Sequence, residues 1–383
     1  MRQWTLPLSL LLCPVQVAAG QDRPARTDSA DFEIIVNQAE DKELAWEFEE
    51  IYRLGSQDSG PEAFFQVNSR LVAVDGAGTI NVLDPTNHTV SQFSATGDHV
   101  NSFGAEGGGP GEFRFPIQVV VDAAGNVAVL DVGKRALVRF AADGSDLAEV
   151  SIAHLGVNRG LAIWGDSVLM GIRHSPTPTG TVVDLTLMTE ADTVVVASHL
   201  EPPSRPQEYV ECGVRITLPP VFAKTLVWRH SGSTIALSKD IGYVIELHDD
   251  GRVLSIRRPI ETLSASEQLA SKEFGPGYEL GIGQSRTCLI PTDELIEQAG
   301  MAEAVPSIRD LALAPDGFLW VNRWRFDDEE RKTDIFTPEG AYVGTLAGDH
   351  PFPIAFLPNG DLLASEVDDF DVQRLVAYRV IQD

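Results

Sequence analysis

The chain is short of basic residues. Its 383 residues include 29 Lys and Arg against 56 Asp and Glu, which gives a formal net charge of −27. A protein this acidic repels phosphate backbones and anionic lipid surfaces, so we expect no nucleic acid as a partner. Beyond the N-terminus there is also no apolar run long enough to cross a bilayer, so we expect no transmembrane segment.

Cysteine is scarce as well. The chain has three, and Cys13 lies in the N-terminal leader after Leu12, where a lipoprotein signal has a small residue, so we do not expect lipid anchoring at Cys13. Outside the leader, Cys212 and Cys288 either pair in an oxidising compartment or stay as buried thiols. No Cys/His group has the spacing of a zinc motif.

The N-terminus has the pattern of a secretory signal peptide. Arg2 supplies the positive charge, residues 5–17 form a short apolar stretch, and small residues end at Ala19. We therefore assign residues 1–20 to a signal peptide and expect a secreted or periplasmic protein. Residues 21–42 are expected to be a flexible N-terminal segment.

A ten-residue segment is repeated in the first third of the chain. Residues 104–113 (GAEGGGPGEF) align without a gap to residues 55–64 (GSQDSGPEAF). Each copy precedes a β-rich run that turns back at a glycine, so we interpret both as linkers between structural repeats. A phosphate-binding loop would need a following Lys and Ser or Thr, which neither copy has.

Turn signals extend the repeat along the whole chain. Short apolar runs are broken by Gly, Asp, Asn and Pro, a pattern typical of antiparallel all-β repeats. Six first-hairpin turns can be counted, and the shorter spacings between them suit four strands per blade. The sequence therefore predicts one six-bladed β-propeller over residues 43–383, with turns at Asp75–Gly78, Asp122–Gly125, Trp164–Asp166, His230–Gly232, Pro315–Gly317 and Pro358–Gly360.

The two ends of the propeller are expected to meet. The sixth repeat contains only three predicted strands, whereas residues 46–54 (WEFEEIYRL) form a predicted strand that belongs to no other repeat. We predict that this N-terminal strand completes the sixth blade, which would close the ring and hide both sheet edges.

Two long spacings indicate insertions. Residues 201–224 are rich in Pro, and residues 261–306 contain two predicted helices, the first opened by a capping box of Ser264 and Glu267 and the second ending at Gly300. Both insertions link an outer strand to the next inner strand, so they lie on the same face and flank the fourth blade. This placement favours a disulfide between Cys212 and Cys288, with free thiols as the alternative.

These features resemble the NHL-repeat family of six-bladed propellers and, more loosely, exported bacterial TolB-like propellers. The resemblance is carried by Gly104–Phe113, Pro116, Asp122–Gly125 and the strand ending at Asp131, and it covers the first two blades best. It implies the fold, but the family includes lyases, lactonase-like hydrolases and members that only bind other molecules, so it does not specify an activity.

Candidate site residues lie where strands meet the channel mouth. Lactonase-like propellers hold calcium there, so a central Ca²⁺ or Zn²⁺ would use Asp131, Asn158, Asn322 and Glu366, but neighbouring arginines oppose a cation. Arginine favours carboxylate or phosphate ligands, unless each pairs with a nearby acid. The candidates are Arg114, Asp131, Asn158, Arg159, His174, Arg309, Asn322, Arg323, His350 and Glu366.

The combined pattern predicts an exported, monomeric binding module without a cofactor. Because Arg114, Arg159, Arg309 and Arg323 are expected near one mouth, its ligand would be an anionic small molecule, peptide or glycan at the channel mouth. Two alternatives are a metal-dependent hydrolase or lyase that uses channel residues, and an envelope scaffold that binds other proteins.

Overall fold

The computed structural model describes residues 31–58, 60–153, 157–164, 168–188, 193–202, 206–209, 212–249, 251–282, 286–324 and 331–382. Six antiparallel four-stranded sheets follow one another along the chain, and a fifth strand joins one of them. The predicted six-bladed, all-β propeller is therefore confirmed. The predicted signal peptide lies outside the described residues. Neither described helix is long or apolar enough to cross a membrane.

The strands follow the chain in blade order. The N-terminal segment contributes β1 (Asp31–Val36) and β2 (Glu47–Leu54). Blade 1 is β3–β6: Val72–Val74, Ile80–Asp84, Thr89–Phe93 and His99–Phe103. Blade 2 is β7–β10: Pro116–Val121, Val127–Asp131, Ala136–Phe140 and Val150–Ser151. Blade 3 is β11–β14: Val157–Trp164, Val168–Thr177, Gly180–Met188 and Thr193–Glu201.

The second half of the chain contains the insertions and the remaining blades. The first insertion forms the hairpin β15–β16 (Gln207–Tyr209, Val214–Ile216). Blade 4 is β17–β20: Val227–Ser231, Thr234–Ser238, Val244–Asp249 and Arg252–Arg257. The second insertion is α1 (Glu267–Phe274), β21 (Gly277–Ile282), β22 (Arg286–Pro291) and α2 (Thr292–Ala299). Blade 5 is β23–β26: Ile308–Leu313, Leu319–Arg323, Lys332–Phe336 and Tyr342–Ala347. Blade 6 adds β27–β29: Pro353–Phe356, Leu362–Val367 and Gln373–Ile381.

The repeated turns form for a local reason. In blade 1 the Asp75 carboxylate accepts hydrogen bonds from the backbone N–H groups of Ala77 and Thr79, at 2.9 and 2.8 Å. Gly78 then takes a φ of 90°, which glycine adopts without steric cost. The turn in blade 2 repeats this arrangement around Asp122. Asp-x-x-Gly therefore specifies each of these turns by itself.

The core lies between neighbouring sheets. Ile80, Val82 and Phe93 of blade 1 pack with Leu363 and Leu375 of blade 6. The same kind of contact joins other neighbouring blades, for example blade 4 to blade 5. Because each sheet is covered on both faces, the middle strands are almost continuously apolar and buried.

The predicted ring closure is confirmed. β2 pairs antiparallel with β29, from Glu47 opposite Ile381 to Leu54 opposite Leu375. The sixth blade thus takes its outer strand from the N-terminal segment, in the strand order β2-β29-β28-β27. Non-covalent closure of this kind leaves the edge of β29 paired rather than open.

The insertions pack together as a small subdomain, which we call the insertion subdomain (residues 206–226 and 260–306). The Cys212–Cys288 disulfide joins its two parts, with Cα atoms 5.6 Å apart, and Tyr209, Ile290 and Leu295 are in its core. The predicted capping box at Ser264 is wrong. Ser266 caps α1 and its hydroxyl accepts from the Leu269 N–H, whereas Ser264 forms a β-bridge with Ala304.

Part of the segment that we expected to be flexible is a strand. β1 pairs in parallel with β20 as a fifth strand of blade 4. The chain then follows the outer strand of blade 5, where Thr345 exchanges backbone hydrogen bonds with Lys42 and Leu44. Residues 31–54, which we call the N-terminal belt, therefore contact the outer edges of blades 4, 5 and 6.

Candidate functional site

One face of the ring carries the insertion subdomain. In a propeller, the links from each outer strand to the next inner strand share a face with the loops between second and third strands. We call this the insertion face. Mouths of β architectures are common ligand positions, so the side chains on this face and in the channel decide what the protein can bind.

Arg229 bridges the central channel. It lies on β17, the inner strand of blade 4, and its Nη2 atom is 2.6 Å from Asp310 Oδ1 on the inner strand of blade 5. The same nitrogen donates to the Ser69 hydroxyl, 3.2 Å away, in the link that leads into blade 1. Blades 1 and 4 stand opposite each other in a six-membered ring, so this side chain spans the channel.

Sequence reasoning missed Arg229, Asp310 and Ser69. The expected mouth residues came from the ends of strands, whereas Arg229 lies in the middle of an inner strand. The sequence does contain a signal for Arg229, which is a charged residue in the middle of an inner strand. Alternate residues of such a strand face the channel, so a charge there indicates a channel-lining side chain.

Two of the predicted arginines are exposed on the insertion face. The Arg309 guanidinium pairs with Glu273 of α1 at 3.0 Å and stacks over the Trp324 ring at 4.8 Å. Arg309 is the extra residue of a β-bulge between Ile308 and Asp310, an irregularity that re-aims a side chain. Arg114 is exposed and its guanidinium lies against Gly108 of the linker.

Two other predicted residues face the protein interior. Arg323 pairs with Asp41 at 2.8 Å and with the buried Asp334 at 3.5 Å. His350 is buried, with its Nε2 atom 2.9 Å from the Thr333 hydroxyl. Burial, assisted by the positive charge of Arg331, lowers the pKa of His350 to about 4.

The predicted carboxylate ligands already have partners on their own blades. Asp131 is fully buried and accepts from the backbone N–H groups of Arg114, Phe115 and Lys134. Glu366 pairs with Arg53 at 2.9 Å and accepts from the Tyr378 hydroxyl. Within the described part of the chain, no group of three or more His, Cys, Asp or Glu is placed to hold a metal ion.

The remaining candidates lie in strands. Asn322 is half-buried in β24, opposite Asp310 and Thr333. His174 is half-buried in β12, opposite Val183. Asn158 and Arg159 follow the first residue of β11, and their side chains lie outside the described residues. The structure therefore does not bring the ten candidates together as one cluster among the groups it describes.

Three phenylalanines project from the insertion face instead. Phe65 and Phe115 lie in the links that enter blades 1 and 2, and Phe370 lies in the loop between β28 and β29. Their side chains are 59, 48 and 77 % exposed. The three residues come from the consecutive blades 6, 1 and 2, and neighbouring exposed apolar side chains mark contact surfaces where they form one patch.

A cleft opens beside Phe65. It has a volume of about 700 Å³ and lies between the first linker copy and the outer half of blade 1, with Ala63, Asn87, His99 and Ser102 in its walls. This size suits a small-molecule site. A smaller cleft of about 370 Å³ lies between blades 5 and 6 beside Trp46 and Trp320.

Comparison with known proteins agrees with this fold. Residues 65–155 match the family DUF5128, described as a 6-bladed beta-propeller. A Bacteroides fragilis protein provisionally classed as exported shares 13 % identity, with a TM-score of 0.54 over 91 % of this chain and 100 % of that chain. No curated protein is significantly similar in sequence.

Weaker structural similarities were also found. A DUF4221 family member from Bacteroides vulgatus has 10 % identity and a TM-score of 0.48 over 89 % of this chain and 100 % of that chain. Virginiamycin B lyase from Staphylococcus aureus has 8 % identity and a TM-score of 0.35 over 87 % of this chain and 99 % of that chain. Similarity at this level says nothing about activity. The protein is a six-bladed β-propeller whose first two blades resemble the DUF5128 family.

Proposed function

We propose that the protein is an exported binding module that holds a peptide or glycan on its insertion face. The observation that carries this proposal is the exposure of Phe65, Phe115 and Phe370 on that face. Burying a fully exposed Phe side chain contributes roughly 1.5–3 kcal/mol, of which each of these residues can gain the share that its exposed fraction allows. Three of them supply enough apolar surface to anchor a partner, and aromatic residues are enriched among such anchors.

The bridged channel supports binding across the face rather than within the ring. The contact from Arg229 to Asp310 and Ser69 occupies the axis, so a ligand that entered from the mouth would meet these side chains. The insertion subdomain adds a wall beside blades 4 and 5, held by its disulfide.

The charges on this face favour a ligand other than a simple anion. Arg309, which was expected to capture an anion on this face, is paired with Glu273. Arg323, expected to do the same, faces the interior and is paired with Asp41. A guanidinium that already has a carboxylate partner gains less from a second one. Of the three ligand classes expected from the sequence, peptides and glycans fit exposed aromatic rings better.

The export assignment and the NHL-like subtype belong to the same proposal. The N-terminal signal pattern and the similarity in fold to a Bacteroides protein provisionally classed as exported support export. The resemblance to NHL repeats stays a prediction drawn from residues in the first two blades.

A binding screen with matched variants tests the proposed function. The purified protein would be screened against a displayed random-peptide library and a glycan array, and hits measured by isothermal titration calorimetry. We expect Phe65→Ser, Phe115→Ser or Phe370→Ser to weaken the best hit at least tenfold. Phe32→Ser is the control, because Phe32 is 57 % exposed but lies on β1 at the outer edge of blade 4. Equal affinity of all four variants and the parent would contradict the proposal.

A further inference from the structure

The two copies of the linker differ in how they are attached to their blades. In the second copy, Lys134 reaches back from blade 2, and its ammonium group donates to the carbonyls of Gly109 and Glu112 at 2.8 and 2.9 Å. It also pairs with Glu149 beside the outer strand, and its side chain is only 7 % exposed. The Glu112 carboxylate accepts from the Gly109 N–H at 2.7 Å. Lys134, Glu112 and Glu149, which we call the plug, fill the space between linker and blade.

The first copy has lost all three plug residues. Strand pairing gives the correspondence, since Val150 lies opposite Leu137 in blade 2 as Phe103 lies opposite Val90 in blade 1. Glu149 therefore corresponds to Ser102, Lys134 to Asn87 and Glu112 to Ala63. Each replacement is shorter, and the Asn87 side chain folds back onto Asp84 at 3.0 Å instead of reaching the linker.

The cleft on blade 1 occupies the position of the missing plug. Ala63, Asn87 and Ser102 all line it, together with Phe65. Protein interiors are close-packed, so shortening three side chains at one place leaves a space unless the backbone collapses into it. Here the linker keeps the same turn, because the Ala63 N–H donates to the Gly60 carbonyl as the Glu112 N–H donates to the Gly109 carbonyl. Gly55 also has a positive φ, as Gly104 does.

The side chains that line the cleft determine which kind of ligand can bind there. Ser102 lies 2.9 Å from the His99 ring and 3.2 Å from the Ser91 hydroxyl. These groups can both donate and accept hydrogen bonds. Asp58 and Asp84 add carboxylates, and none of the described lining residues is Lys or Arg. An anion would meet negative charge without a cationic partner.

We propose that the cleft on blade 1 binds a neutral saccharide unit. Each sugar hydroxyl both donates and accepts, as the lining does, and the exposed ring of Phe65 offers an apolar surface to the C–H face of a sugar. The inference rests on the proposed function, because it names the ligand class and the position on the insertion face. It narrows the ligand from a peptide or glycan to a neutral glycan.

Restoring the plug tests the inference. The triple variant Ala63→Glu, Asn87→Lys, Ser102→Glu copies the second repeat into the first. The probes are neutral hexasaccharides of glucose, xylose and N-acetylglucosamine, measured by isothermal titration calorimetry. We expect at least one to bind the parent and the triple variant to lose at least tenfold in affinity. The matched control Ala63→Ser, Asn87→Gln, Ser102→Thr keeps the polar lining open and should retain binding within about threefold.

A second variant covers the case in which the triple variant folds poorly. His99→Ala changes an exposed side chain and should also weaken saccharide binding tenfold, while the thermal melt stays that of the parent. If neutral saccharides bind and neither variant changes their affinity, the cleft is not the saccharide site, although the insertion face can still be the binding surface. If the protein prefers uronic-acid oligomers, or binds only peptides, the ligand is not a neutral saccharide and the inference is wrong. A protein that binds nothing in either panel would overturn the proposed function as well.

Discussion

Individual charged residues in this protein act mainly on structure. Arg258 is the clearest case: its side chain is fully buried, it pairs with the equally buried Asp334 at 2.8 Å, and it donates to the carbonyls of Gln38, Ala39 and Glu40 in the N-terminal belt. Asp41 completes the group, and hydrogen bonds from Arg323, Lys332 and Arg258 hold the pKa of its carboxyl well below the usual range despite partial burial. A cluster that joins blades 4 and 5 to the belt accounts for Arg323, which the sequence had suggested as a ligand-binding residue.

Removing Arg258 should therefore be costly. We expect Arg258→Ala to lower the free energy of unfolding by about 3–5 kcal/mol, because it leaves Asp334 charged, buried and without its main partner. Arg252→Ala is the matched control, since Arg252 pairs with Glu33 where both side chains are 53 % exposed, and its loss should cost about 0–1 kcal/mol. Urea unfolding measures both. Similar midpoints for the two variants would show that the buried cluster is not a main source of stability.

At the scale of elements, local signals predicted most of the structure and missed some irregular parts. The hairpin turns and the second inserted helix follow from short patterns of Asp, Gly and Pro, which specify backbone conformation within a few residues. The closing strand follows from the number of strands in each repeat. The β21–β22 hairpin and the parallel strand β1 had no such pattern. β1 depends on the edge of β20, which offers unpaired backbone groups, and this partner is distant in sequence.

The disulfide is the element-scale feature with the largest expected effect on stability. Cys212 and Cys288 are 76 residues apart, and the loop that they close contains all of blade 4. In the chain-entropy model, a disulfide that closes a loop of this length raises the free energy of unfolding by about 4 kcal/mol. We expect Cys212→Ser with Cys288→Ser to lower the unfolding free energy by that order, measured by guanidinium unfolding. A reducing agent should destabilise the parent and leave the double variant unchanged, and equal sensitivity of both proteins would refute this role.

For the whole molecule, closure of the ring is the decisive feature. β2 joins residues near the start of the chain to the last blade, and the belt before it contacts blades 4 and 5. The sixth blade cannot be completed until the chain ends meet, so the stability of the last blade depends on residues more than three hundred positions away.

Two truncations separate β1 from the part of the belt that binds Arg258 and closes the ring. A chain beginning at Asn37 lacks β1 but keeps the rest of the belt and should fold, with a modest loss of stability from the missing contact of Ile35 with the blade 4–5 core. A chain beginning at Gly55 also loses residues 38–41, which bind Arg258. It lacks β2 as well and exposes the edge of β29, so we expect it to aggregate or to lose its cooperative melt. Circular dichroism and size-exclusion chromatography report both outcomes. A native spectrum and sharp melt for the shorter chain would contradict the importance of closure.

The number of blades, the position of the closing strand and the two insertions were predicted from the sequence alone, which also favoured a disulfide between Cys212 and Cys288 over free thiols. These features follow from repetition and from turn chemistry, which act over a few residues and are readable wherever they recur. The folded structure was needed to show that Arg229 spans the channel, that Asp131 and Arg323 already have partners, and that a cleft replaces the plug in blade 1. Those facts depend on distances between residues far apart in the chain, and a linear pattern contains no such distances.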